Sequence, residues 1–235
     1  MLDKAIPQQA KNEKMVQDVR STAIVGFDVL TYVPTGVGGK VAGGLSTVQT
    51  AANTVAIESE LAKNLYAYLE KQIKSKGIKV ISLEQVTSNP IYQKLYKLKK
   101  GSLAERQANH FQKPNMIKNL LRDANPTYLF NAEERALLAK ALNVDSLVMA
   151  RVSYNVIQND YLGLGVANSY LQPSITYHMY NKTEADPVWF HNSFLGPKSE
   201  ESVGKVSGLE DVELIAKLSQ PLAEKTIDNF LNNKQ

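Results

Sequence analysis

The residues best placed by spacing to do chemistry lie in TYVPTGVGGKVAGG, positions 31–44, where five glycines and a lysine follow a β-rich run. Strand, glycine loop and helix are the parts of a phosphate-binding site. A Walker loop needs G-x-x-x-x-G-K and then Ser or Thr, because backbone amides cradle the phosphates and the hydroxyl holds magnesium. With Gly39 and Lys40 as the GK pair, Pro34 stands where the first glycine belongs and Val41 where the hydroxyl belongs. The dinucleotide pattern G-x-G-x-x-G starts at Gly36 and Gly38 but meets Val41 at its third glycine. Two other readings remain. Gly39, Gly43, Thr47 and Ala51 are small residues four apart, a ridge for close approach of a partner if the segment is helical. Five glycines would each cost a soluble helix about 1 kcal/mol, which favours a mobile loop. Either way Gly36, Gly38, Gly39, Gly43 and Gly44 are candidate contact residues. A small-molecule or nucleotide-binding enzyme built on Gly36–Gly44 is the alternative functional reading.

The histidines offer a second test. Pairing Tyr180 with Pro187 across the turn NKTEAD sets His178 opposite Trp189 and Thr176 opposite His191. The two histidines would then share a sheet face as diagonal neighbours, with Glu184 or Asp186 as the only further ligands in reach. A slip of one residue removes the coincidence, and two hydrogen-bonded sheet histidines are the better reading. No serine sits in G-x-S-x-G, and no carboxylate pair stands in a setting that would tune it for acid–base work. No catalytic residue, cofactor or metal is therefore expected. Tyr161 and Tyr170, beside a GLG turn, are candidate contact residues at an exposed tip, whereas Tyr154 reads as core.

The totals narrow the class. In 235 residues, 43% are hydrophobic and 21% charged, an ordinary globular composition. There is no cysteine, which excludes disulfides and thiolate chemistry. No apolar run approaches the roughly 20 residues that cross a bilayer. The start, MLDKAIPQQAKNEK, lacks the basic end and apolar stretch of a secretory signal. The expectation is a cytoplasmic chain, or one from which a signal and its lipidated cysteine have been removed. Charge is uneven: Lys63 to Arg122 holds 13 basic residues against Glu70, Glu84 and Glu105, a balance of +10 in a chain whose total is +4. This asymmetry points to an anionic partner, such as a membrane surface or an acidic protein, or simply to solvated helix faces. Lys97, Lys99 and Lys100 are the candidates within it. No nucleic-acid-reading motif accompanies the lysines, so no nucleic acid partner is expected.

The elements that would position these residues follow from periodicity. Residues 1–20 read as a flexible tail or short helix, and 21–235 as a single α/β domain with an irregular insertion at about 100–130. Ser21 to Val33 alternates as a strand. Ser46 or Thr47 is expected to cap a long helix, with Val48, Val55, Ala62, Leu65, Leu69 and Ile73 on one face and Gly77 ending it. A short strand at Ile78 to Leu83 precedes a helix opened by Ser88, Asn89 and Pro90. Pro114 to Asp123 reads as a short helix. Asn131 caps a helix carrying Glu133 and Glu134 in its first turn and ending at Asn143. Strands are expected at Val144 to Val156, Leu171 to Tyr180 and Pro187 to Leu195. A last helix over Leu209 to Leu231 contains Pro221, a kink position. The order β-α-β-α-(insertion)-α-β-β-β-α predicts the α/β class: a single mixed, largely antiparallel sheet with helices packed on it.

EERALLAKALNVDSLVMARVSYNV, 133–156, resembles the helix–strand unit of the CsgG and TolB amino-terminal-domain group of bacterial envelope proteins. Leu138, Ala139, Leu142, Val144 and Asp145 match, and Asn143 replaces the usual glycine terminator. GIKVISLEQVTSNPIYQKL (77–95) and ITYHMYNKTEADPVWFHNSFLG (175–196) resemble that group's second strand with its helix and its last hairpin. The 97–130 insertion and the glycine stretch depart from the pattern. The resemblance implies a non-enzymatic periplasmic domain, often on an outer-membrane lipoprotein. Such domains assemble with themselves or with secretion, motility or cell-wall machinery.

Overall fold

A computed structural model describes residues 9–32, 57–99, 112–122, 130–159, 168–182, 187–204 and 211–232. In chain order the elements are β1 (Gln9–Lys11), α1 (Glu13–Gln17), β2 (Ser21–Tyr32), β3 (Ile57–Glu58), α2 (Glu60–Ser75), β4 (Lys79–Val80) and α3 (Leu83–Ser88). They continue with α4 (Pro90–Lys99), β5 (Gln112–Met116), α5 (Ala132–Leu142), β6 (Ser146–Asn159), β7 (Asn168–Asn181), β8 (Trp189–Leu195) and α6 (Val212–Leu231). Within the first 20 residues, Gln9–Lys11 thus adds an edge strand to β8 and Glu13–Gln17 forms a short helix.

Strand β2 is the centre of construction. Its residues 22 to 30 are all buried, so both faces are covered, and its sequence is almost continuously apolar for that reason. The described strands form one mixed sheet in the order β1-β8-β7-β6-β2-β5-β3, with β4 also against β2. β6 runs parallel to β2, and β6, β7 and β8 make the antiparallel meander expected of three strands with short connections. β2 and β4 are parallel and joined through α2, a crossover unit. The α/β class and the mixed sheet stand as expected.

Alternation along the strands sorts their side chains to two faces. On one face Phe27 meets Tyr66 of α2 edge-on, at 5.8 Å between ring centroids, and Tyr154 donates its hydroxyl to Ser219 O of α6 at 2.7 Å. Tyr177, Trp189 and Phe230 pack there with centroids 4.9–5.1 Å apart. On the other face α5 lies over β6 and β7, its Arg135 guanidinium 4.2 Å from the Tyr180 ring. α4 runs antiparallel beside α5: Asn89 Nδ2 donates to Ala141 O at 3.1 Å near one end, and Lys99 pairs with Glu134 at 2.9 Å near the other.

Local signals explain where helices start and stop. Asn131 and Glu134 form a reciprocal capping box, and Asn143 closes α5 in the left-handed region (φ 52, ψ 52). Gly77, at φ 81, follows α2, and its N–H returns to Lys74 O. Asn89 Oδ1 accepts from Ile91 N and Tyr92 N at the start of α4.

Several boundaries differ from expectation. α2 starts at Glu60, capped by Ser59 Oγ, after a strand at Ile57–Glu58. It is therefore not one helix running from Ser46 or Thr47. Pairing of 57–58 with β5 supplies that stretch with backbone partners a helix would have had to replace. The second strand is only Lys79–Val80, since Ser82 and Gln85 build a capping box that opens α3 at Leu83. In place of the helix expected from Pro114, residues 114–116 belong to strand β5, antiparallel to β2, and a turn with Asn119 at φ 63 follows; Asp123 lies outside the described residues.

That turn locks onto an irregularity in β2. The register shifts between Ile24 and Gly26, and Phe27 N–H donates to Leu121 O at 2.8 Å. Tyr92 then bridges the two segments, donating to Val25 O and accepting from Leu121 N, each at 2.9 Å. A Cβ at Gly26 would stand 2.9 Å from Met149 Cε, the free end of a side chain that would have to move aside.

Candidate functional site

The face that carries α5 also holds a row of polar side chains. Asp28 is wholly buried. Its two oxygens accept from Arg151 Nε at 2.9 Å and Nη2 at 3.0 Å, a bidentate pair, and Oδ2 also accepts from Arg122 Nε at 3.2 Å. Register places Asp28 opposite Arg151 and Arg151 opposite Thr176, so the cluster spans β2, β6 and β7. A carboxylate fixed by two guanidiniums is a cross-brace: it ties residues 117–122 and β6 to the central strand. Burial without those partners would cost several kcal/mol, on the order of 3–5 for an orphaned charge.

Next along the same face stands His178, 6% exposed. Its Nε2 lies 3.1 Å from Asn192 Oδ1, and an amide oxygen accepts, so Nε2 carries the proton. Nδ1 is buried with no hydrogen-bond partner. The ring is stacked between Tyr180 and Phe190, at 6.4 and 6.1 Å. Burial drives its pKa down to about 4, only partly offset by the Asn192 contact. The imidazole is therefore neutral at neutral pH.

The pairing that would have joined His178 to His191 does not occur. Met179 pairs with Trp189, His178 with Phe190 and Tyr177 with His191, one residue from the expected register. Trp189 decides the slip: in the observed register it enters the aromatic cluster with Tyr177 and Phe230, with Lys11 Nζ 4.7 Å from its ring. His191 consequently faces the opposite side, against Phe194 and Phe230, and burial lowers its pKa too. Among the described residues no group of three or more His, Asp or Glu can hold a metal. Glu184 and Asp186 lie outside the described residues.

Asp145, the last residue of the family-like ALNVD, is a fastening point. Its Oδ2 accepts from Arg20 N, Ser21 N and Ser21 Oγ at 3.2, 3.1 and 3.0 Å, and its Oδ1 from Lys182 Nζ at 3.1 Å. Burial alone would raise its pKa, but these hydrogen bonds and the Lys182 charge outweigh it and hold the carboxyl below its ordinary value. The helix–strand unit is thereby pinned to the first residue of β2 and to the end of β7.

Of the candidate contact residues, Gly36, Gly38, Gly39, Gly43, Gly44, Lys100 and Tyr161 lie outside the described residues. Tyr170 is half-buried on β7 with Lys198 Nζ 4.8 Å from its ring centroid. Lys99 is engaged with Glu134, whereas Lys97 is exposed on the outer side of α4. Tyr154 is core, as its spacing implied. Periodicity missed a different feature. Leu98 and Leu137 are 66% and 50% exposed on the neighbouring helices α4 and α5. The helical wheel carried a signal for it: Leu98 falls one position from Lys97 and one turn from Lys94, off the Tyr92–Leu95 face that is buried. Among the described residues, no helix is long and apolar enough to cross a membrane.

No family model and no curated protein sequence matches this chain. Among solved structures it is similar to a neuraminyllactose-binding hemagglutinin homolog from Helicobacter pylori, at 10% identity and TM-score 0.39, covering 98% of this chain and 90% of that one. Lipoprotein GNA1162 from Neisseria meningitidis is similar at 10% identity and TM-score 0.37, covering 91% of this chain and 98% of its own. The hypothetical protein CT253 from Chlamydia trachomatis is similar at 10% identity and TM-score 0.34, covering 89% and 98%. At these scores the likeness is remote.

Proposed function

We propose that this chain is a non-enzymatic interaction domain of the bacterial cell envelope. It acts on the periplasmic side in association with the outer membrane, and assembles with itself or with secretion, motility or cell-wall machinery. The observation that carries the reading is the unit 133–156. Of the residues that resemble the CsgG and TolB group there, Leu138, Ala139 and Val144 are buried, Leu142 packs half-buried against the core, and Asp145 pins the unit to β2. The same residues thus account for both the resemblance and the local structure. The polar groups of the sheet face support the non-enzymatic part, since Asp28 is spent on two arginines and His178 is buried and neutral.

The test is in-cell cross-linking of the chain in its own bacterium, followed by separation of envelope from cytoplasm. The expected result is recovery with the envelope, in adducts with itself or with envelope proteins. A chain found in the cytoplasm, or a strict monomer joined to no envelope protein, would overturn the reading. A nucleotide-dependent rise in melting temperature would instead favour the enzyme built on Gly36–Gly44, since a ligand stabilises by RT ln(1 + [L]/Kd).

A further inference from the structure

We infer that the outer side of α4 and α5 docks on an anionic phospholipid surface. Leu98 and Leu137 enter the interfacial layer, and Lys94, Lys97 and Lys140 meet the headgroup phosphates. This rests on the envelope reading above and names the partner chemistry for one face.

Four large apolar side chains are strongly exposed among the described residues, and two of them, Leu98 and Leu137, lie on these adjacent helices. The Lys99–Glu134 bridge brings them near each other: Leu98 precedes Lys99, and Leu137 stands one turn beyond Glu134. Lysines flank both leucines at helical spacing, Lys94 one turn before Leu98 and Lys140 one turn after Leu137. Lys94, Lys97 and Lys140 are exposed, and among the described residues none forms an ion pair. On α2, Lys63 and Lys74 are matched by Glu60 and Glu70 of the same helix. On α4 and α5 themselves the carboxylate outside an ion pair is Glu133, against the three unmatched lysines, so these two helices present net positive charge around an apolar pair. Charge complementarity with anionic headgroups, combined with shallow leucine insertion, is how interfacial helices hold a membrane surface. An acidic protein would satisfy the lysines but would not call for exposed leucines at the centre of the ring.

The experiment is co-sedimentation of the full chain with vesicles of phosphatidylcholine alone and of phosphatidylcholine with phosphatidylglycerol. The expected result is binding to the anionic vesicles only, abolished at about 1 M salt, where the screening length falls to about 3 Å. Each lysine near such a surface contributes about five-fold in affinity, so the double variant Lys94→Glu, Lys97→Glu should lose binding at least about 25-fold. Leu98→Ser should weaken it about ten-fold. Lys71→Glu, an exposed lysine of α2, should leave it unchanged. All these positions are exposed, and unchanged melting temperatures would show that the variants fold.

No binding to anionic vesicles, equal binding to neutral ones, or equal loss in Lys71→Glu would overturn the inference. So would unaltered vesicle binding in the Lys94/Lys97 variant. A chain that fails these tests yet still cross-links to envelope proteins would remove this docking face and leave the envelope reading intact.

Discussion

His178 should make the stability of this protein depend on pH well above the range where carboxylates titrate. Its folded pKa is about 4 against 6.5 for the free side chain, because burial in the Tyr180–Phe190 stack disfavours the imidazolium. Between pH 6.5 and 4 the unfolded chain carries the proton and the folded chain does not. Stability is therefore complete above about 6.5 and is lost as pH falls towards 4, by about 3 kcal/mol in total. Replacing His178 with Phe keeps the stack and removes the titration. Asn192 is exposed, so its Oδ1 can turn to water and the substitution should change stability at pH 7 by about 1 kcal/mol or less. Urea unfolding at half-unit steps of pH measures both chains. His191, also lowered by burial, titrates with the same sign, so the diagnostic quantity is the difference between wild type and His178→Phe. That difference should change by about 3 kcal/mol across the window and be flat above it. A flat difference from pH 7 to 4 would refute the buried, neutral imidazole.

Three further substitutions test the joints of the fold by urea unfolding. Tyr92→Phe deletes the hydroxyl shared by Val25 O and Leu121 N, leaving two buried backbone groups unpaired, and should cost about 2–4 kcal/mol. Asp145→Asn weakens the grip on Ser21 and Lys182 and should cost about 1–2 kcal/mol at neutral pH. Because the Asp145 pKa is lowered, its contribution is present above the ordinary carboxylate pKa and is lost as pH falls through the folded value, so mutant and wild type should converge in acid. Asn143→Gly relieves a left-handed residue at the end of α5 and should add about 0.5–1 kcal/mol, read as a higher urea midpoint.

What could be read from the chain and what could not divides by range. The Asn131 cap, the Asn143 and Gly77 terminators and the Asn89–Pro90 opening are contests among neighbours four residues apart, and each stands where the pattern placed it. The start of α2 at Ser59 and the strand at Gln112–Met116 were not legible, because the first depends on a pairing of residues 57–58 with 115–116 and the second on a pairing with β2, and no local period announces either. The hairpin register failed for the same reason. Its turn admits either alignment, and the choice is made by Trp189 finding Phe230, a residue 41 positions on. Asp28, Arg122 and Arg151 are 94 and 123 residues from one another's partner atoms, so a lone aspartate in an apolar strand was the sole hint of a cross-brace.

That brace changes what the 97–130 segment is. In the sequence it reads only as an irregular insertion that departs from the resemblance. In the structure its described part supplies strand β5 to the free side of β2, Leu120 and Leu121 to the core, and Arg122 to the buried carboxylate. The irregularity at Ile24–Gly26 would otherwise leave Val25 O and Phe27 N–H without partners in the middle of the sheet. Tyr92 and Leu121 satisfy them. The central strand and the segment therefore specify each other: β2 has a bulge and a buried charge because residues 112–122 are there to receive them. A deletion spanning those residues removes a strand, the Leu121 carbonyl that receives Phe27 N–H and one of the two cations on Asp28 together, which is why it should abolish folding and not merely shorten a loop.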